Sequence, residues 1–130
     1  MNRFSALLIA LAGLGFLAFG LAFLVSPLPT LAAAGLVLEG PIAATELRAF
    51  YGGLELGLGG YLLVCAWQPS QRRAGLWLTL ASNGGIGLSR LLGLVLSGVF
   101  TPFFALALAW ELGLACLAAV CLARGANANG

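Results

Sequence analysis

Thr45-Glu46-Leu47-Arg48-Ala49-Phe50-Tyr51-Gly52-Gly53-Leu54-Glu55-Leu56-Gly57-Leu58-Gly59-Gly60 opens a segment apolar enough to cross a bilayer, yet it carries charge. At about 100° of rotation per residue, Arg48, Tyr51 and Glu55 (i, i+3 and i+7) fall along one stripe of a helix. Two later apolar segments each bring one further charge, Arg90 and Glu111. Ionisable groups in hydrocarbon are costly, so these are expected to face the bundle interior, meet one another and mark a site.

The composition around that stretch belongs to a chain that lives in lipid. Of 130 residues, 62% are hydrophobic and 8% charged, and the mean hydropathy of +1.07 lies far from soluble usage. This length suits a single domain of about four spans at ~20 residues each. The net charge is +2 with no Lys/Arg-rich stripe, so nucleic acid is not an expected partner. His is absent from the sequence, which removes the commonest metal and haem ligand, and no cofactor or metal site is expected. Cys65, Cys116 and Cys121 lie in apolar segments without C-x-x-C spacing and read as buried thiols acting as small hydrophobes.

Outward from the central stretch, the helix is expected to run over 45–67, with Thr45 as its N-cap and Glu46 in the first turn. Before it, the uncharged run Ser5–Val25 exceeds the ~7–15 residues of a signal-peptide core and reads as a retained first span over 4–25. Pro27 and Pro29 end that span. The apolar segment 31–41 is too short to cross and is expected to lie in the outer interface or form a lid. After the polar loop Gln68–Arg73, further helices are expected over 74–97 and 102–123, with Arg124 and a polar tail closing the chain. The expected fold is all-α: an integral-membrane four-helix bundle. Arg3, Arg72, Arg73 and Arg124 then fall on one side, which puts both termini in the cytoplasm by the positive-inside rule.

Small residues recur at helical spacing: Gly53 and Gly57; Ala81, Gly85, Ser89, Gly93 and Ser97; Ala105, Ala109 and Gly113. They are expected to let helices approach closely, within the chain or in a homo-oligomer.

Depth aligns the charges. From the expected outer helix ends, Glu55 lies ~15 Å in, Arg90 ~10 Å and Glu111 ~13 Å, at 1.5 Å per residue. Asn83 shares the face of Arg90 and lies deeper, while Arg48 and Tyr51 sit above Glu55. These six, Arg48, Tyr51, Glu55, Asn83, Arg90 and Glu111, are the expected ligand-binding residues of a polar funnel that opens outward. Within it, Arg90 is expected to bridge Glu55 and Glu111. One of the two acids would then hold its proton near neutrality, which makes Glu55 and Glu111 candidates for catalytic acid and base. A Glu–Arg–Glu triad that merely fixes helix register is the competing structural reading.

The stretch Thr45–Gly59, with a later Ser89-Arg90 and Glu111, resembles a widespread family of small bacterial four-helix membrane proteins catalogued as a domain of unknown function. The resemblance spans essentially the whole chain. It implies the fold, a multi-pass address in the bacterial inner membrane, and signature roles for Glu46, Arg48, Tyr51, Gly52, Gly53, Glu55, Arg90 and Glu111; it implies no activity. A looser, architectural similarity is to DoxX-like proteins and sterol-isomerase-type bundles, and fold analogy is a weak warrant for function.

The leading expectation is a membrane protein that binds a small lipophilic or amphiphilic molecule, its partners being that ligand and the bilayer. An isomerase or cyclase using a glutamate acid/base pair is the second. The third is a proton-coupled carrier or accessory subunit, for which four helices without internal repeats are few.

Overall fold

A long uncharged segment in hydrocarbon must satisfy its own backbone, and a helix does so residue by residue. In the computed structural model, which describes residues 3–127, Ser5–Val25 lies within α1 (Arg3–Val25). Ser26 leaves the helical region and Pro27 starts the short α2 (Pro27–Ala33), where its missing N–H is no loss. The freed end of α1 is not left bare. Ser26 N donates to the Ala22 carbonyl at 2.9 Å, and the Thr30 hydroxyl donates to the same oxygen at 3.2 Å. Gly35 and Gly40, at φ +85° and +93°, turn the chain through backbone that side-chain-bearing residues avoid.

The central helix begins at Pro41, before the expected cap at Thr45. The Thr45 hydroxyl instead donates back to the Pro41 carbonyl at 2.8 Å, inside the helix. The run comprises α3 (Pro41–Leu47), a π-helical turn (Arg48–Gly53) and α4 (Leu54–Trp67). A short 3₁₀ turn, Pro69–Gln71, leads to α5 (Arg72–Ser97). Gly98, at φ +67°, closes α5 with its N–H on the Leu94 carbonyl at 2.9 Å. Thr101 Oγ1 accepts the Phe104 N–H at 3.2 Å to cap α6 (Pro102–Asn127). The end of the polar tail, 128–130, lies outside the described residues.

Counting Pro41–Trp67 as one, the described residues form five helices and no strand. Three are long and apolar enough to cross a membrane: Arg3–Val25, Pro41–Trp67 and Pro102–Gly125. The fourth long helix, α5, matches them at 26 residues, but Arg72, Arg73, Ser82, Asn83 and Arg90 lower its hydropathy.

Packing joins α1 to the π turn and α4, and α5 to α6; the two pairs meet through α4 on α5 and α1 on α5 and α6. The main core takes Leu8, Ile9 and Phe16 from α1, Leu62 and Cys65 from α4, Leu76 from α5, and Leu114 and Ala118 from α6. Most of these belong to the ends of the helices nearest the Arg72–Arg73 loop. A small cluster of Phe23, Leu31 and Leu47 ties α2 to the far end. Toward that far end, Leu96, Val95 and Leu106 are each more than 70% exposed, as lipid-facing apolar side chains are.

Glycines set the helix separation. A Cβ on Gly59 would stand 2.7 Å from the Gly13 carbonyl and 2.9 Å from Leu17 N; one on Gly20 would stand 2.9 Å from Leu56 N. Helices α1 and α4 therefore touch backbone to backbone. The expected pair Gly53 and Gly57 does not make this contact, since a Cβ on Gly57 would meet nothing within 4 Å. Two residues turn a helix by ~200°, so Gly57 points away from the face that Gly59 buries. The stripe on α5 is likewise open at Gly85 and Gly93, as is Gly113 of α6; the close approach of α5 to α6 is at Gly87, where a Cβ would stand 2.7 Å from Leu112 Cδ2.

Candidate functional site

Arg90 and Glu111 meet across α5 and α6. Arg90 Nη2 donates to Oε1 of Glu111 at 2.7 Å, and Nε donates to Oε1 and Oε2 at 3.2 and 3.0 Å. This fork-on-carboxylate arrangement engages both acid oxygens and is the strong form of such a pair. The guanidinium carbon also lies 5.8 Å from the ring centre of Phe104, within cation–π reach. Gly87 makes room for it: a side chain there would press on Glu111 Cβ at 3.2 Å. The pair is mostly withdrawn from the surface, with Glu111 the more deeply buried partner.

Glu55 stands apart. The expected convergence of Glu55, Arg90 and Glu111 resolves into a closed pair and a solitary acid, because α4 and α6 each pack on α1 and α5 and sit diagonally across the bundle. Glu55 Oε2 is buried and has no hydrogen-bond partner. It lines an open-sided groove of ≈ 350 Å³ together with Phe16, Phe50, Tyr51, Leu54, Leu58 and Ile86. Helix α1 supplies Phe16, the π turn and α4 supply the rest of one wall, and Ile86 of α5 faces them.

The π turn presents this wall. Its wider winding carries the Leu54 N–H back to the Ala49 carbonyl, five residues earlier, one residue before Glu55. Gly52 and Gly53 sit within it, and a Cβ on Gly52 would lie 3.3 Å from Leu24 N of α1. Tyr51 leans on Phe23 of α1, ring centres 5.0 Å apart. The remaining expected site residues have partners elsewhere. Arg48 Nε donates to the Leu24 carbonyl at 3.1 Å, where a cation suits the negative end of α1. Asn83 is buried and its Nδ2 donates to the Thr79 carbonyl at 3.2 Å within α5. The segment 31–41 contributes nothing to the groove lining; Leu31 packs instead against Phe23 and Leu47.

Sequence reasoning missed the apolar wall, above all Phe16 and Ile86. Nothing in a span that is apolar all round marks which side faces a cavity. Phe104 was also missed, although its place in the first turn of the helix that carries Glu111 puts it near the end of α5.

The chemistry open to this arrangement is narrow. Glu111 is committed to Arg90, so Glu55 has no second free carboxylate with which to share acid and base roles. Among the described residues no three His, Cys, Asp or Glu side chains gather as metal ligands would. What remains is an apolar slot with one carboxylate oxygen that has no hydrogen-bond partner.

No curated protein and no solved structure matches the chain. One family does match, over residues 4–122, a range that takes in the ion pair and every residue lining the groove. The chain belongs to that family, described as Domain of unknown function (DUF4345).

Proposed function

We propose that this is a four-span protein of the bacterial inner membrane that holds a small lipophilic or amphiphilic molecule in the Glu55 groove. The observation that carries the reading is the buried, partnerless Oε2 of Glu55 in an otherwise apolar slot. A polar atom left so is expensive, and an occupant with a polar head relieves it.

Helix α5 is the fourth span in this reading. Its 26 residues reach ~39 Å, enough to cross. Four of its polar groups carry their own partners: Thr79 on the Gly75 carbonyl, Ser82 on the Leu78 carbonyl, Asn83 on the Thr79 carbonyl and Arg90 on Glu111. Arg3, Arg72, Arg73 and Arg124 then share one end, which favours the cytoplasm for both termini. A C-terminal reporter fusion should be active inside the cell; periplasmic activity would overturn the topology.

Binding is tested by extracting protein reconstituted in nanodiscs and identifying bound small molecules by mass spectrometry. An occupant should be present in the wild type and depleted in Ile86→Trp, which fills the slot. The same bound set in both would overturn the reading.

A further inference from the structure

We infer that the occupant of the Glu55 groove is a lipophilic amine, its ammonium head set against the carboxylate. This rests on the proposal that the groove is a ligand site, and it goes further by naming the ligand class.

Two observations exclude an acidic head. Arg90 has both oxygens of Glu111 and the Phe104 ring around it, and Arg48 is held on the Leu24 carbonyl. Neither guanidinium is among the residues that line the slot, so its walls offer an anion no cation.

Two further observations favour an ammonium over a neutral hydroxyl. The carboxylate is the single acidic group among the seven residues that line the slot, so an entering cation would supply the counter-charge that the protein withholds. An N⁺–H donor on a carboxylate makes a charge-assisted bond about twice as strong as a neutral one. The rings of Phe16, Phe50 and Tyr51 line the same slot, and aromatic faces attract ammonium groups, the more so when water is excluded. The volume of ≈ 350 Å³ sits near the lower end of the ~300–1,000 Å³ typical of small-molecule sites. That suits one chain or ring system whose tail continues through the open side into lipid.

The test uses the full chain in nanodiscs of zwitterionic lipid, with three matched probes: dodecylamine, dodecanol and dodecanoate. Dodecylamine should raise the Tm saturably by about 3 °C or more, dodecanol by much less and dodecanoate not at all. Glu55→Gln should abolish the amine shift, and it should fold because Glu55 Oε2 makes no bond to lose. Phe50→Leu keeps the carboxylate and removes a ring; it should weaken the amine several-fold, and it serves as the second variant. An amine shift that survives in Glu55→Gln would overturn the inference. So would dodecanoate or dodecanol matching dodecylamine through an effect that Ile86→Trp removes, an outcome that leaves the groove reading standing. No shift with any probe, together with no occupant by mass spectrometry, would sink both.

Discussion

Deleting one partner of the Arg90–Glu111 pair should be the most damaging polar truncation in the chain. Three N–O contacts of 2.7, 3.0 and 3.2 Å hold the carboxylate in the guanidinium fork. Breaking a buried pair by removing one member costs ~3–5 kcal/mol, because the survivor stays desolvated and unpaired. The Arg90 side chain keeps 27% of its exposure against 10% for Glu111. Some of its charge can therefore snorkel, which argues for the lower end, ~3 kcal/mol, about two decades in the folding equilibrium. Replacing both partners by apolar groups of similar shape removes the desolvation penalty along with the attraction. Arg90→Met combined with Glu111→Leu should therefore come within ~1 kcal/mol of the wild type. The assay is equilibrium unfolding in mixed micelles titrated with SDS and followed by helical circular dichroism. Arg90→Met and Glu111→Leu should each unfold at clearly lower SDS, and the double variant should recover most of the loss. If the two single effects simply add, the pair is not a unit and the reasoning fails. If each lies within ~0.5 kcal/mol of the wild type, the pair contributes nothing measurable.

Gly59→Ala should destabilise by ~1–3 kcal/mol in the same titration, since its Cβ would meet backbone atoms of α1, whereas Gly57→Ala should be neutral or stabilising because its Cβ meets open space. Equal effects would contradict the packing face. Arg48→Met should release the end of α1, speeding hydrogen exchange over 22–31 with a loss of ~1 kcal/mol or less; unchanged exchange there would show that the bond to Leu24 is idle. A small lipophilic maleimide should label Cys116 in the folded protein and reach Cys65 only after unfolding, as judged by intact-mass analysis.

Some of this architecture is legible without coordinates, for physical reasons that differ from residue to residue. A charge in an apolar segment must find its opposite, so the sequence points Arg90 of α5 and Glu111 of α6 toward each other. The separation of Glu55 from that pair depends on which helices share an edge of the bundle, and a sequence of four apolar segments leaves that order open. The glycine spacing of Gly53 and Gly57 was visible, but its direction was not: a helix that is apolar all round gives no contrast between core and lipid faces. Gly52 and Gly59, seven residues apart, carry the close approach to α1 instead. The π turn at Arg48–Gly53 leaves no periodic signal at all, although the Gly52–Gly53 pair lies within it. Thr45 looked like a cap because its hydroxyl suits one; Pro41 starts the helix earlier since a proline at N1 gives up no hydrogen bond.

The position of the groove follows from side-chain size. Near the Arg72–Arg73 end, Gly13, Gly59 and Gly75 let α1, α4 and α5 close on one another, and the core there is filled by Ile9, Leu62 and Leu76. Beyond that core, Phe16, Leu58, Leu54 and Ile86 line the groove between the α1–α4 pair and α5. In water such a gap would be a liability. In a bilayer an acyl chain can enter from the side and restore the lost dispersion contacts at little expense, so the apolar walls alone ask for no particular occupant. The carboxylate changes that. An acyl chain has nothing to offer Glu55 Oε2, and neither Arg48 nor Arg90 is among the residues that line the slot. On the proposed reading, a slot that lipid can fill but cannot satisfy would select for a molecule with a lipid-like body and a donor at its head.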